Sequence, residues 1–307
     1  MRSLLLLVVF GASCLGAAVL AGCGGAGAPA GPASVAPQAW GVGKIVYSSN
    51  RSGRQNLYVM NANGTNRKRL TSTATADDWC PRWSPDGSKI LFVSNRTGNE
   101  EIFVIKADGT GPVNLTKSPS NDHAPAWRPN GKMIAFAREP VSGGHPDIFV
   151  MNADGSGQTS LAVNGAKDDD PSWSPTGLML AFYSERVVGA DTGDDVWKMR
   201  ADGTQLTKLT GAGSEHYPAW SPNGQRIAYM SATSQTAWNA WTMKPDGSGK
   251  LRVKVNAGMA RWSPDSNQLV YVKMIGGHFQ IYAMNANGSG ETRLTNDLYN
   301  DMYPDWH

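Results

Sequence analysis

A tryptophan that returns at near-even spacing constrains the fold of this chain more than any other feature. Successive members lie 44, 46, 47, 42 and 44 residues apart, in similar phrases such as PRWSPDG and PAWSPNG. The six residues are Trp83, Trp127, Trp173, Trp220, Trp262 and Trp306. A fixed period of this size indicates a repeat architecture, in which each unit buries its apolar surface against its neighbours.

Each repeat also carries two turn signals. The phrase after the tryptophan contains Pro followed by Asp-Gly or a similar pair, which favours a tight turn. An Asp-Gly or Asn-Gly pair recurs later, and an aliphatic residue stands seven positions after its first member, as Leu115 follows Asp108. Such pairs between apolar runs are the strongest short-range sign of a β-hairpin.

Two short apolar runs lie between the turns, for example 90–92 and 102–105. They are too short for helices and lack a polar alternation, so they predict strands that are buried on both faces. With one strand leading into the tryptophan and one following the Asp-Gly turn, each repeat has four strands. Four-stranded sheets packed face to face around an axis make a six-bladed β-propeller, an all-β fold. A β-sandwich does not explain the period.

The ends of the repeat region predict how the ring closes. The repeats begin at Gly43 in what would be a second strand, and the phrase Tyr303–Trp306 has the form of a first strand. We therefore expect this C-terminal strand to pair with the first three strands of the propeller and to remove the free edge that a sheet would otherwise expose.

The region before Gly43 has the features of an export signal and a tether. Arg2 is followed by an apolar stretch from Leu4 to Leu20, and residues 20–23 read Leu-Ala-Gly-Cys. This ending resembles the bacterial lipobox, whose cysteine carries the lipid. We predict a lipoprotein signal peptide over 1–22, lipidated Cys23 with a flexible Gly/Ala/Pro tether over 23–42, and the propeller over 43–307. An ordinary cleaved signal and a retained membrane helix are the alternatives.

Charge and cysteine usage limit the possible partners and cross-links of the chain. The formal net charge is +3 with no basic block, which argues against a nucleic acid partner. Besides Cys14 in the signal and Cys23, the chain contains Cys80 alone, so the propeller has no internal disulfide. The predicted lipid anchors the protein to the bacterial cell membrane or to an outer membrane.

The repeat resembles the WD-like repeat of the TolB β-propeller. The unit Trp83–Thr116 matches the pattern PxWSPDGxxIxFxSxRxGxxxIFVMxADGxxxxxLT at nearly every position, and the resemblance covers 43–307. It implies an extracytoplasmic propeller that binds a partner at one mouth of its channel. TolB itself has an N-terminal domain ahead of its propeller, whereas a lipobox stands in that place here, so a part in the Tol–Pal system does not follow.

A carboxylate recurs five residues before the tryptophans, on the side of the propeller that carries the longer connections. These residues are Asp78, Asp122, Asp168, Glu215 and Asp301, with Ala257 at the sixth position. The same side is expected to carry Arg51, Arg96 and Arg186, together with His123 and His216, each directly after one of the carboxylates. We predict that these ten charged or titratable residues form a partner-binding site at the channel mouth.

Plainer roles remain open for each group. A carboxylate can cap its own loop, and the arginines can pair with the acidic ring. The two histidines and the carboxylates could hold a divalent cation in the channel, although no ligand spacing supports this and no cofactor is predicted.

Three functions compete. The leading one is a non-enzymatic envelope lipoprotein that binds a protein or peptide. The second is a cell-surface carbohydrate-binding or carbohydrate-active propeller, such as a polysaccharide lyase or hydrolase, that uses a metal or carboxylates in the channel. Neither GxSxG nor HExxH gives a catalytic signature. The third is a structural ring without a ligand.

Overall fold

The protein is a six-bladed β-propeller. The computed structural model describes residues 43–161, 165–189, 193–211, 213–234 and 237–307, and within them 24 strands form six four-stranded antiparallel sheets. The predicted signal, Cys23 and the tether lie outside the described residues. The described part contains no helix long and apolar enough to cross a membrane.

The blades are numbered in chain order, and each is given from its innermost strand outward. Blade 1 contains β24 (Asp301–Trp306), β1 (Lys44–Ser49), β2 (Asn56–Asn61) and β3 (Lys68–Arg69). Blade 2 contains β4 (Asp78–Trp83), β5 (Lys89–Ser94), β6 (Glu101–Lys106) and β7 (Val113–Asn114). Blade 3 contains β8 (Asn121–Trp127), β9 (Met133–Glu139), β10 (Asp147–Asn152) and β11 (Thr159–Ser160).

The remaining blades have the same order. Blade 4 contains β12 (Asp168–Trp173), β13 (Met179–Ser184), β14 (Asp195–Arg200) and β15 (Thr207–Lys208). Blade 5 contains β16 (Glu215–Trp220), β17 (Ile227–Ser234), β18 (Ala237–Met243) and β19 (Leu251–Val255). Blade 6 contains β20 (Gly258–Trp262), β21 (Gln268–Ile275), β22 (His278–Asn285) and β23 (Thr292–Arg293).

The ring closes as the sequence predicts. The C-terminal strand β24 pairs antiparallel with β1, with Ile45 opposite Trp306 and Ser49 opposite Asp301. The main chain of Lys44 exchanges two hydrogen bonds with His307, at 2.6 and 2.9 Å. Blade 1 is therefore built from the last strand and the first three strands of the propeller.

The core lies between neighbouring sheets, which is why the two middle strands of a blade are buried on both faces. Val46 and Leu57 of blade 1 form one cluster with Ile90, Phe92 and Phe103 of blade 2. Each fully buried aliphatic or aromatic side chain contributes about 1.5–3 kcal/mol relative to exposure. The repeated apolar runs thus stabilise the contacts between blades as well as the blades themselves.

The innermost strand of every blade contains a β-bulge. Three residues before each repeat tryptophan, one non-glycine residue has a φ near +50°, and the register with the second strand shifts there. These residues are Cys80, Ala124, Asp170, Tyr217, Met259 and Tyr303. A proline follows five of them. Proline has no backbone N–H, but a bulge leaves one residue out of the hydrogen-bond ladder, so the proline costs no strand pairing there. Blade 6 has Ala260 instead and bulges in the same way, so the proline is not what imposes the bulge.

Candidate functional site

The connections divide the propeller into two faces. The tight turns that carry Pro and Asp-Gly join the first strand to the second and the third strand to the fourth in each blade. Because the strands are antiparallel, the other connections lie on the opposite face, here called the long-loop face. The innermost strands begin at the long-loop face, and those of neighbouring blades contact one another around the central channel.

The five predicted carboxylates stand at the beginning of the innermost strands, but their side chains point into the blades. Asp78, Asp122, Asp168 and Asp301 are 0% exposed, and Glu215 is 6% exposed. Four of them bond an arginine of their own blade. The pairs are Asp301 with Arg51 at 2.8 Å, Asp78 with Arg96 at 2.8 Å, Asp122 with Arg138 at 2.6 Å and Asp168 with Arg186 at 2.5 Å.

Two aromatic rings hold each of these arginines in place. The guanidinium carbon of Arg96 lies 5.3 Å from the ring centre of Phe92 and 4.7 Å from that of Phe103, on the second and third strands. Arg51, Arg138 and Arg186 lie over two rings in the same way. A cation over an aromatic face is stabilised by the ring quadrupole. The plainer role that the sequence left open, pairing of the arginines with the acidic ring, is confirmed for all three predicted arginines.

Arg138 is a functional equivalent that the sequence analysis missed. It lies two residues after the second-strand aromatic Phe136, whereas Arg96 lies four residues after Phe92, so a fixed offset from the tryptophan does not find it. The detectable signal is an arginine within four residues of that aromatic. Among the described residues no arginine bonds Glu215, and its bonds include one from the Ser231 hydroxyl at 3.2 Å. Burial is the main reason that the pKa of Glu215 is raised.

The two histidines bond different carboxylates. His123 places Nε2 3.1 Å from Asp169 and Nδ1 3.7 Å from Glu100, and its side chain is 21% exposed. Although burial opposes the charge, Asp169 raises the pKa of His123 to about 9. His216 is 3% exposed and bonds Asp194 at 3.2 Å. Among the residues that the structure describes, no three His, Cys, Asp or Glu side chains converge to hold a metal ion.

Side chains from different blades do meet in the channel. Burial raises the pKa of the Cys80 thiol in blade 2 to about 11, and Asp170 of blade 4 and Arg261 of blade 6 also act on it. Burial and the neighbouring Asp169 raise the pKa of Asp170 to about 7. These influences connect blades that are not adjacent, so the groups face one another across the ring. The sequence analysis assigned no role to Asp170 or Arg261, which the repeat pattern places at variable positions.

A family model described as the TolB beta propeller domain matches residues 33–110 and 76–261. The chain belongs to the TolB beta propeller family. The family assignment and the six closed blades confirm the resemblance that the repeat phrase suggested.

Solved structures agree on this TolB-type fold. TolB from Acinetobacter baumannii is 20% identical, with a TM-score of 0.77 over 86% of this chain and 66% of its own length. Hydrazine synthase from Kuenenia stuttgartiensis is 15% identical, with a TM-score of 0.74 over 87% of this chain and 47% of its own. Oligogalacturonate lyase from Vibrio parahaemolyticus is 14% identical, with a TM-score of 0.57 over 81% and 73%. At these identities the likeness concerns the fold, and the chain spans less than two thirds of the Acinetobacter TolB.

Proposed function

We propose that this TolB-type propeller is a non-enzymatic lipoprotein of the bacterial cell envelope that binds a protein or peptide at its long-loop face. The observation that carries the proposal is the distribution of exposed apolar side chains. Of the twelve large apolar side chains exposed in the described residues, seven stand in connections of that face or at their edges. They are Val141, Val187, Val188, Met274, Ile275, Leu298 and Tyr299.

The opposite face is poorer in such groups. The tight turns expose Leu178 and Leu206, and the other three exposed side chains belong to outer strands. Leu298 is 78% exposed and Val141 68% exposed, which is unfavourable for side chains without a contact. Apolar groups gathered on one face of a soluble domain are typical of a surface that binds another protein.

The buried ion pairs between carboxylates and arginines hold the loops of the long-loop face in place. Arg51 and Arg96 lie in connections of the long-loop face and are fixed by Asp301 and Asp78 at the base of the loops. A loop held in one conformation loses less entropy on binding than a mobile loop. We therefore expect the carboxylates and arginines to act by ordering the binding face, while the apolar loop residues contact the partner.

Two titratable groups in the channel, Cys80 and His123, are in protonation states that do not favour catalysis. With its pKa raised to about 11 by burial, Cys80 stays a neutral thiol near neutral pH, and the thiolate is the reactive form. His123, with its pKa raised to about 9, is protonated there and cannot accept a proton as a general base.

The location follows from the N-terminal sequence. The apolar stretch from Leu4 to Leu20 and the lipobox ending at Cys23 favour export and lipid attachment, and the Gly/Ala/Pro segment gives the propeller reach from the membrane. The protein is then extracytoplasmic and lipid-anchored, and its partner is another envelope protein or peptide.

A comparison of two variants tests the binding face. Leu298→Ser with Tyr299→Ser removes exposed apolar groups from the long-loop face, and Leu178→Ser with Leu206→Ser does the same on the opposite face. Each protein is cross-linked in native envelopes and purified, and the attached proteins are identified by mass spectrometry. We expect the first variant to lose a protein that wild type and the second variant retain. Equal recovery by all three would overturn the assignment of this face.

A carbohydrate ligand is the second candidate, because the structural relatives include oligogalacturonate lyases, one of them in complex with manganese. Incubation of the purified protein with oligogalacturonate and manganese, followed by absorbance of the unsaturated product, distinguishes this function. Product formation would replace the proposed binding role with a lyase.

A further inference from the structure

One level of the central channel has two unlike halves. In every blade the repeat tryptophan pairs with a residue of the second strand. The residue directly before the tryptophan therefore occupies the same position in all six blades. Three consecutive blades contribute Arg261, Asp305 and Arg82, and the next three contribute Ala126, Ser172 and Ala219. A charged half-ring thus faces a half-ring of small side chains.

The two arginines of this half-ring lack a carboxylate partner in direct contact. Within the described part of the chain, the hydrogen bonds of Arg82 go to the Pro81 carbonyl oxygen and the Cys80 sulfur. Those of Arg261 go to the carbonyl oxygens of Ala260 and Tyr217, at 3.2 and 3.5 Å. A guanidinium has five N–H donors, so both retain donors for a ligand. Both residues are partly exposed within the channel.

Asp305 stands between the arginines but is held by the backbone. Its Oδ2 atom accepts a hydrogen bond from the Trp83 N–H at 2.8 Å. Burial, and after it the charge of Arg82, lowers the pKa of Arg261 to about 10, so the two guanidinium groups repel each other. Although burial opposes it, Cys80, Asp305 and Asp170 raise the pKa of Arg82. Asp170 is a second nearby carboxylate, since its charge also acts on the pKa of both arginines.

We propose that this level of the channel binds a monovalent organic carboxylate between Arg82 and Arg261. Arginine binds carboxylate oxygens through paired N–H groups, and within the described residues the hydrogen bonds of both guanidinium groups go to carbonyl oxygens and a sulfur rather than to a carboxylate. A dianion such as phosphate would bring a second charge toward Asp305 and Asp170, which disfavours it. The next level of the channel is formed by the six bulge residues, of which Tyr217, Met259 and Tyr303 suit an organic group attached to the carboxylate and Asp170 is the charged member. This site lies inside the ring and does not depend on the proposed partner face.

The test uses the full-length protein and propionate as the probe. Saturation-transfer NMR measures the dissociation constant near neutral pH at constant ionic strength, with propionamide as the uncharged analogue and inorganic phosphate as the dianion. We expect propionate to bind, propionamide not to bind, and phosphate to bind more weakly than propionate. Binding of propionamide as tight as that of propionate, or tighter binding of phosphate, would refute the proposal.

Three channel variants and one control locate the site. Arg82→Gln and Arg261→Gln should each weaken propionate binding about tenfold or more, since each removes a charge-assisted contact. Asp305→Asn should strengthen it about threefold or more, because it removes a competing charge and keeps an acceptor for Trp83. Arg128→Gln is the control, as Arg128 lies over the Trp173 ring and is not at this level. Wild-type affinity in both glutamine variants would overturn the site. If these two fail to fold, unchanged or weaker binding by Asp305→Asn overturns it instead.

Discussion

Gly109 lies so close to Leu70 of the preceding blade that a Cβ atom on Gly109 would be 2.6 Å from the Leu70 carbonyl oxygen. The repeat has two markers, the glycine of the Asp-Gly or Asn-Gly turn and the aliphatic residue at the fourth strand or directly after it. These two residues meet across every boundary between blades. The other five contacts are Gly64 with Leu294, Gly155 with Leu115, Gly203 with Leu161, Gly247 with Leu209 and Gly288 with Val253. The turn glycine serves packing between blades as well as the hairpin.

Replacing Gly109 by alanine should destabilise the propeller more than the same change in an open loop. Both Gly109 and Gly98 have positive φ, at +93° and +106°, but nothing lies within 4 Å of a Cβ on Gly98. We expect Gly98→Ala to cost about 1 kcal/mol for the left-handed backbone, and Gly109→Ala about 3 kcal/mol or more because the blades must separate. Urea denaturation measures the free energy of unfolding. Equal losses would show that the close approach is unimportant.

Removal of a buried carboxylate should depend on whether an arginine pairs with it. Asp122→Asn leaves the largely buried guanidinium of Arg138 without a counter-charge, so we expect a loss of about 3 kcal/mol in the free energy of unfolding. Glu215→Gln, at the equivalent position without an arginine, should cost about 1 kcal/mol or less. Calorimetric unfolding compares the two variants. A larger loss for Glu215→Gln would contradict the structural role of the pairs.

Stability should depend on pH through His123. Its folded pKa of about 9 is raised above the ordinary value of 6.5, so its ion pair with Asp169 stabilises the fold fully below pH 6.5 and is lost as the pH rises through about 9. His123→Gln should therefore reduce the free energy of unfolding by about 1–3 kcal/mol at low pH, with the difference shrinking toward pH 9. The exposed His145, changed to Gln, is the control. A difference that grows with pH would contradict the assignment.

Cys23 should decide whether the protein stays with the membrane. In cells grown with labelled fatty acid, Cys23→Ala should lose the label and move to the soluble fraction, because one sulfur carries the anchor. Cys14→Ala, within the predicted signal, is the matched control and should remain labelled. A Cys23→Ala protein that sediments with membranes would contradict the predicted lipoprotein.

The fold was predictable from sequence because every level of information agrees. Trp83, the Asp108-Gly109 turn and the apolar runs of the same repeat recur five more times, so chance variation in one repeat does not hide the pattern. The closure by β24 follows from the same phrase at Trp306. Because the tight turns lie on one face of the propeller, the longer connections must lie on the opposite face.

The site was less predictable because the β-bulge breaks the alternation of side chains. Asp78 lies five residues before Trp83, and regular alternation would place it on the same side as Arg82 and Cys80. The extra residue of the bulge intervenes, and Asp78 is buried in its blade while Arg82 is partly exposed in the channel. Counting from the tryptophan therefore identifies structurally equivalent residues but not the direction in which they point.

The pairing of β24 with β1 also governs how the protein folds. The Ser48 hydroxyl and the Met302 carbonyl oxygen are bonded across 254 positions of the chain, and contacts of such long range form slowly. Until β24 docks, β1 exposes an unpaired edge that can template association with another chain. Refolding yield should consequently fall as protein concentration rises, and docking of a single strand sets the interval during which aggregation competes with the native state.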